Sequence, residues 1–156
     1  MYEVVALGKN HDRARFDCGD DELNRYLSQY ANQHAKKGIS KTYVLIDDGN
    51  PNEVLGFYCM GAYALDNSGR VLAGYPNEIP ACLIGRFAIN KAMQGKSLAN
   101  HLFAHAFAHI AKTAKIMGLA YVVVDLKRDE LAPFYQKMGF QRLSGLRMVL
   151  STKVLG

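Results

Sequence analysis

A chain of 156 residues, 49% hydrophobic and 21% charged, has the size and composition of one globular domain, and we treat residues 1–156 as a single domain. Its net charge of +5 favours a polyanionic partner, such as nucleic acid or a phosphorylated cofactor. Three cysteines without metal-ligand spacing, no signal-peptide pattern and no membrane-spanning stretch predict a reduced, cytoplasmic protein without a membrane partner.

The N-terminal part of the chain predicts a strand and then a helix. Residues 2–8 have the pattern of a short strand, and residues 16–38 carry helix signals. Acidic side chains suit the free N–H groups at a helix start, and lysines followed by a glycine suit its end. We interpret Asp17, Asp20, Asp21 and Glu22 as capping charges, and Leu23, Tyr26, Leu27, Tyr30 and Ala31 as the apolar face.

The rest of the chain predicts a mixed sheet. Residues 39–47 and 53–65 form a hairpin around the turn DGNPN, and residues 66–80 form an irregular connection, a lid or a specificity loop. Residues 81–89 and 119–126 are central strands joined by a long helix over 97–117, with a short helix near Pro133–Met138 and two final strands. Strands joined through the long helix pair in parallel, so we expect one α/β domain whose sheet is covered by helices.

The turn QGKS, residues 94–97, lies between a predicted central strand and the long helix. A P-loop would need a glycine five residues before Gly95, where the chain has Asn90, so nucleotide hydrolysis is disfavoured. Gly95 permits close approach of a ligand, Lys96 adds a cation, and a helix N-terminus offers unpaired N–H groups. A phosphate-binding turn is the favoured interpretation, and a turn without a ligand is the alternative.

Three histidines recur at every fourth position of the long helix. Three such residues span about 12 Å at ~1.5 Å per residue, too far to share one ion. We therefore expect no metal. His101, His105 and His109 are interpreted as a solvated or subunit-facing row.

Two motifs resemble those of the GCN5-related N-acetyltransferases (GNAT). QGKSLA is similar to their Gln/Arg-x-x-Gly-x-Gly/Ala signature, with Ser97 at a glycine position, and FYQKMGF (residues 134–140) is similar to their Phe-Tyr-x-x-x-Gly-Phe element. The segment FDCGDDELNRYLSQYANQHAKKGISKTYVLIDD and the strand LIGRFAIN resemble the GNAT toxins of type II toxin–antitoxin modules, the TacT/AtaT kind.

This resemblance implies a GNAT fold, with splayed parallel central strands in a mixed sheet flanked by helices. It implies an acetyl-CoA-dependent toxin that acetylates the amino group of aminoacyl-tRNA and blocks translation, works as a homodimer and pairs with a ribbon-helix-helix antitoxin. The alternative within the fold is an enzyme acting on a small amine or a protein N-terminus. A different class is a non-catalytic CoA or nucleotide sensor, or an RNA-binding module.

The resemblance also assigns the site residues. It implies that Tyr135 protonates the departing CoA thiolate, whereas a structural role would pack this tyrosine on the sheet. No residue is identified as a general base. Arg86 and a lysine cluster are expected at the RNA, although the lysines could be a solvated helix end and Arg86 could pair with Asp125 or Asp129. The expected cofactor-binding residues are Phe87, Ala88, Ile89, Gln94, Gly95, Lys96, Ser97, Leu98, Ala99 and Phe134, and the RNA-binding lysines are Lys36, Lys37 and Lys41.

Overall fold

The structure, a computed structural model, describes residues 1–156 and contains seven strands and four α-helices. The strands are β1 (Tyr2–Ala6), β2 (Lys41–Asp47), β3 (Gly56–Asp66), β4 (Glu78–Ile89), β5 (Tyr121–Asp125), β6 (Gln141–Ser144) and β7 (Arg147–Ser151). The helices are α1 (Asp21–Arg25), α2 (Ala31–Lys36), α3 (Ala99–Ile116) and α4 (Ala132–Lys137). The predicted order of strands and helices is therefore confirmed.

The strands form one mixed sheet in the order β1-β2-β3-β4-β5-β7-β6. β1, β2 and β3 pair antiparallel, as do β5 with β7 and β6 with β7. The hairpins were predicted, but the sequence did not predict that the last strand lies between β5 and β6.

β4 and β5 are the parallel pair joined through α3. Their register runs from Ala81 opposite Tyr121 to Ile84 opposite Val124. β4 continues through residues 85–89, whereas β5 ends at Asp125. The parallel pairing therefore involves only part of β4.

The N-terminal helical segment contains a π-helical insert. Between α1 and α2, Tyr26–Tyr30 form a π-helix whose last turn closes with the Ala31 N–H donating to the Tyr26 carbonyl. The wider turn changes the angular position of the residues in it, and Tyr30 is 44% exposed while Tyr26 and Leu27 are buried. The assignment of Tyr30 to the apolar face was therefore wrong.

The chain contains two compact units, residues 1–61 with 85–106 and residues 62–84 with 107–156. The core of the first brings helical residues Tyr26, Leu27 and Ala31 together with Val44 and Phe57 of β2 and β3. The core of the second is built from strand residues, namely Leu65, Ile79, Ala81, Tyr121, Val123 and Val149. Nothing in α1 to α4 is long and apolar enough to cross a membrane.

The connection between β3 and β4 is ordered around one buried side chain. The Asn67 amide nitrogen donates to the carbonyls of Leu72, Tyr75 and Pro76 at 2.9, 3.3 and 3.2 Å, and its oxygen accepts from the Leu72 N–H at 3.0 Å. These bonds join Asn67, at the start of the connection, to its middle and its end. The loop is therefore held in one conformation by the Asn67 side chain. The prediction of an irregular connection is confirmed.

Candidate active site

A cavity of about 280 Å³ lies at the N-terminal end of α3. Most of the predicted diphosphate-binding residues meet here, together with the end of β4. The lining residues are Ile89, Met93, Gln94, Gly95, Ser97, Leu98 and Ala99. Lys96 is exposed within the same turn.

The backbone of this turn has the shape that an anion requires. The first hydrogen bonds of α3 are donated by Asn100 to Ser97 and by His101 to Leu98, at 3.3 and 3.1 Å. The N–H groups of residues 95–98 precede these bonds and are available to a ligand. Successive N–H groups around left-handed residues form anion-binding concavities. The turn therefore fits a diphosphate.

Ser97 adopts the conformation of the glycine that it replaces. Its φ is +60°, and that of Gly95 is +83°. A left-handed conformation costs a non-glycine residue roughly 1–2 kcal/mol. The departure of this chain from the glycine-rich motif therefore leaves the turn's shape intact but adds backbone strain.

Gln94 lines the cavity, and its side-chain amide also fixes the turn. Its side-chain nitrogen donates to the carbonyls of Ile89 and Cys18, at 2.9 and 3.1 Å. These two bonds join the end of β4 to the segment that precedes α1. The residue was predicted to bind the cofactor, and its observed contacts are those of a side chain that positions the backbone.

Asp17 is the second connection between these segments. Its carboxylate lies 3.0 Å from the Lys91 Nζ and accepts from the Gly19 N–H and the Asn24 amide, while its carbonyl accepts from the Lys91 N–H at 2.9 Å. Lys91, with the Gly19 and Asn24 donors, lowers the pKa of Asp17 to about 2. The N-cap of α1 is Asp20 alone, so the interpretation of Asp17 as a capping charge was wrong. We call residues 17–19 with their bonds to Lys91 and Gln94 the clasp.

The C-terminal end of β4 carries the predicted pantetheine-binding residues. The Phe87 ring stacks on Phe103 of α3 with centroids 4.3 Å apart, and Ala88 is buried. A Cβ at Gly56 of β3 would lie 2.9 Å from the Ala88 carbonyl oxygen. Glycine at position 56 therefore permits β3 to pass close to the strand that carries these backbone groups.

Arg86 does not form the ion pair that was considered for it. Its guanidinium lies 3.7 Å from the centroid of the Tyr26 ring. The Asp125 carboxylate instead accepts two hydrogen bonds of 2.8 Å from Arg147, and Asp129 pairs with Arg142 at 3.0 Å. Arg86 is thus held by an aromatic face and keeps its charge uncompensated by either aspartate.

The predicted RNA-binding lysines lie together at the junction of α2 and β2. Lys36 ends α2, Lys37 is its C-cap, and Lys41 begins β2. All three are exposed. Gly38 adopts a φ of +72° between them, so the predicted glycine C-terminus of this helix is confirmed.

Tyr135 lies in α4, in the second compact unit. Its ring makes edge contacts with Phe134 and Phe140, at 5.3 and 5.6 Å between centroids. Burial raises the pKa of Tyr135 to about 12. The phenol is therefore protonated at every physiological pH, and the same shift makes it a weaker acid than an ordinary tyrosine.

The histidine row of α3 is divided among different environments. His101 is exposed and contacts the Tyr2 ring, whereas the His105 Nδ1 lies 2.7 Å from the Tyr58 hydroxyl and its ring packs on Tyr43. The prediction of a solvated or subunit-facing row was wrong for His105, because aromatic residues of β2 and β3 reach it. The structure has no cluster of three or more His, Cys, Asp or Glu side chains arranged to hold a metal ion.

Sequence reasoning missed the clasp and the role of the Tyr26 ring. Both depend on contacts between segments far apart in the chain, such as Cys18 with Gln94. The one available signal was the Phe-x-Cys-Gly pattern at residues 16–19, which gave the resemblance but no contact.

A family model described as an acetyltransferase (GNAT) domain matches residues 30–142. A tRNA-acetylating toxin of Mycobacterium tuberculosis (strain ATCC 25618 / H37Rv) is 30% identical over 133 residues, which cover 83% of this chain and 78% of the relative.

Solved toxin structures are similar over nearly the whole chain. AtaT complexed with acetyl-methionyl-tRNAfMet is 25% identical, with a TM-score of 0.87 over 99% of this chain and 97% of that one. A tyrosine-to-phenylalanine mutant of AtaT, bound to acetyl-CoA and the C-terminus of the antitoxin AtaR, is 24% identical, with a TM-score of 0.83 over 99% and 95%. The second likeness establishes the fold alone.

Proposed function

Because the chain belongs to the GNAT family of acetyltransferases, we propose that it is a toxin that transfers acetyl from acetyl-CoA to the amino group of an aminoacyl-tRNA and thereby blocks translation. The observation that carries the proposal is the 30% identity to a tRNA-acetylating toxin over 83% of this chain. Two structural features support this proposal. The basic α2–β2 junction is suited to RNA phosphates, and the turn before α3 is suited to the diphosphate of acetyl-CoA.

The turn before α3 supports the use of acetyl-CoA. The N–H groups of Gly95, Lys96, Ser97 and Leu98 would hold the diphosphate, with the Lys96 side chain adding a positive charge. Ala99 keeps the start of the helix free of bulk. The cosubstrate supplies an activated acetyl thioester. The protein would supply the oxyanion donor and the general acid, and the acceptor amine is the nucleophile.

The main chain of Phe87, Ala88 and Ile89 is assigned to the pantetheine arm and to the thioester carbonyl. β4 extends through these residues beyond its last pair with β5, at Ile84. A well-placed N–H donor to a developing oxyanion contributes roughly 3–4 kcal/mol to catalysis. Since backbone groups supply this donor, the side chains here are free to pack, as the Phe87 ring does on Phe103.

Tyr135 is assigned the role of general acid toward the departing thiolate. A thiol has a pKa of about 8.5, and a phenol with a pKa of about 12 is still protonated where that thiol ionises. Phe134 is assigned to the cofactor side of the same helix. The two assignments rest on the motif, and the raised pKa of Tyr135 means only that the phenol keeps its proton until the thiolate departs.

The acceptor is assigned from acid–base chemistry. A free α-amino group has a pKa of about 7.7–8.0, whereas a lysine side chain has one of about 10.4. An α-amine is therefore partly deprotonated at neutral pH, and water suffices as the base. The chain offers no residue that must serve as one.

Lys36, Lys37, Lys41 and Arg86 are assigned to the RNA. Surface lysines bind phosphates independently of the nucleotide sequence. This suits a reaction directed at the aminoacylated 3′ end of tRNA. We also propose that the protein acts in the cytoplasm as a homodimer controlled by a ribbon-helix-helix antitoxin. The AtaT–AtaR structure supports an antitoxin partner. That residues 1–156 form a single domain stays a prediction.

The test supplies labelled acetyl-CoA with charged tRNA, uncharged tRNA or peptides. We expect label only on charged tRNA, and we expect mild alkaline deacylation to release it as an N-acetyl amino acid. Label on peptides alone would contradict the toxin assignment while leaving the acetyltransferase class intact.

Charge reversal tests the assigned RNA surface. We expect Lys36→Glu with Lys37→Glu to weaken tRNA binding and to lower the slope of log K against log salt by roughly 0.7–0.9 per lost phosphate contact. Lys112→Glu with Lys115→Glu is the matched control, since both lysines are exposed on α3. Equal effects of the two double variants would remove the assignment of the α2–β2 junction.

A further inference from the structure

Three aromatic side chains form a ladder along the helical segment before β2. The Tyr26 and Tyr30 rings are nearly parallel, 24° apart, with centroids 6.4 Å apart, and His34 lies 5.3 Å from Tyr26 and 6.3 Å from Tyr30. Tyr26 is 4% exposed, whereas Tyr30 is 44% exposed. The ladder therefore has a buried base and an outer ring that solvent reaches.

The buried base is fixed in position by polar contacts. The Tyr26 hydroxyl lies 2.9 Å from the His34 Nδ1 and 2.9 Å from the Ser40 Oγ. Its ring carries the Arg86 guanidinium at 3.7 Å. Because Tyr26 is held at both the hydroxyl and the ring, the Tyr30 ring rests on a rigid support.

The surroundings of the ladder are cationic without compensation. Residues 23–46 contain four Lys or Arg and no Asp or Glu. Three of those cations, Lys36, Lys37 and Lys41, are exposed just beyond His34. No ion pair involves them. An exposed aromatic ring next to exposed lysines is the combination by which proteins bind single-stranded nucleic acid.

We propose that Tyr30 is a stacking platform for an unpaired base of single-stranded RNA, with Lys36, Lys37 and Lys41 binding the adjacent phosphates. The identification of that RNA with the unpaired 3′ end of a charged tRNA rests on the proposed function. A duplex has no free base face to offer to Tyr30, so the platform selects single strands.

The platform lies within the π-helical insert. On the uninterrupted periodicity of the sequence, Tyr30 belongs to the apolar face with Leu27 and Ala31, which are both buried. In the structure Tyr30 stacks on Tyr26 and is instead 44% exposed. π-helical turns occur frequently at functional sites.

The test measures the Kd of a labelled single-stranded RNA ending in the 3′ sequence common to tRNA, and of a matched duplex, without acetyl-CoA. Stacking contributes about 1–3 kcal/mol per base, so Tyr30→Leu should weaken single-strand binding about 5-fold to 150-fold. Tyr30→Phe keeps the ring and should bind within about twofold of the wild type. Duplex binding should be unchanged in both variants. Tyr2→Leu, an aromatic replacement away from the ladder, is the control.

Equal single-strand affinities for Tyr30→Leu and Tyr30→Phe would overturn the platform, as would an equal loss of single-strand and duplex binding. Thermal unfolding of each variant verifies that the fold is retained. Tyr30→Gln, whose planar amide is not aromatic, is a second non-aromatic replacement beside Tyr30→Leu. The binding assay measures no acetyl transfer, so its result is independent of the acetylation assay with labelled acetyl-CoA. If binding depends on Tyr30 but the protein does not acetylate aminoacyl-tRNA, the platform is supported and the proposed function is rejected. Acetylation with Tyr30-independent binding would do the reverse.

Discussion

The side-chain amide of Gln94 donates to the carbonyl of Cys18 at 3.1 Å, although 76 residues separate them in the chain. With the bond from the same nitrogen to Ile89, it joins the turn before α3 to β4 and to the segment before α1. The geometry of the turn that we propose for the diphosphate is thus fixed in part by a distant segment that lies outside the cavity lining.

We expect Gln94→Ala to weaken acetyl-CoA binding without lowering kcat. A neutral hydrogen bond contributes about 0.5–1.5 kcal/mol, and losing two of them should raise the Kd for CoA roughly 5-fold to 150-fold, if all of that energy serves to position the turn. Calorimetric titration with CoA measures the effect, and Gln29→Ala, at an exposed helix position, is the control. A lowered kcat with an unchanged Kd would contradict a positioning role.

We expect Ser97→Gly to stabilise the fold. Glycine relieves the cost of the left-handed φ of +60°, and the net gain after its extra chain entropy should be about 1 kcal/mol in the free energy of unfolding. Denaturant titration measures this change. Ser97→Ala keeps the strain but loses the hydroxyl, so its CoA affinity compared with that of the wild type measures the hydroxyl. The difference in CoA affinity between the alanine and glycine variants measures the backbone conformation. A destabilised glycine variant would show that φ is not the source of strain.

We expect Tyr135→Phe to lower kcat by about 10²–10⁴-fold while leaving the Kd for acetyl-CoA unchanged, because a positioned acid contributes that much. Single-turnover acetyl transfer gives the rate. Tyr2→Phe is the control for the general loss of a hydroxyl. An unchanged rate would remove the assigned role.

The same tyrosine gives a pH prediction. Because burial raises the pKa of Tyr135 to about 12, its ionisation adds nothing to the phenolate absorbance below about pH 11. The increase in phenolate absorbance with pH should coincide for the wild type and Tyr135→Phe up to that pH and diverge above it. The kcat profile should likewise show no alkaline decline that is due to this phenol near pH 10. Divergence of the spectra near pH 10 would mean an ordinary, solvated phenol.

We expect Asn67→Ala to destabilise the protein and loosen the β3–β4 connection. The substitution removes four hydrogen bonds and leaves several loop carbonyls without their donor, which should cost about 2–4 kcal/mol in the free energy of unfolding. Limited proteolysis should then cut within residues 68–77. Asn52→Ala, at an exposed turn, is the matched control. A loop that stays resistant would show that Asn67 is not its brace.

Local pattern was sufficient to predict β4 and β5, because both are largely apolar runs, and the helix between them, because it is long and has a helical apolar period. β4 begins at Glu78, earlier than the predicted residue 81. It was also sufficient to place the turn at Gln94–Ser97 before that helix. The sequence could not show that Ser97 would take a glycine-like conformation, since nothing local distinguishes a strained serine from a relaxed one.

The failures concern contacts over long distances and one irregular turn. Asp17 was assigned by proximity to α1, but its partner Lys91 arrives from another part of the chain. Tyr30 was placed by a 3.6-residue period that the π-helix interrupts. His105 was assigned to the surface, although aromatic residues from two strands surround its ring.

The clasp also limits what can be transplanted. A graft of residues 90–99 into a foreign scaffold would transfer the backbone N–H groups but not their arrangement. In the native protein Gln94 and Lys91 are held by bonds to Cys18 and Asp17, which the graft lacks. A chimera would need both segments at their native spacing together with Ile89, whose carbonyl accepts the second bond of the Gln94 amide. Residues 17–19 and 90–99, which are far apart in the sequence, would thus have to be transferred together.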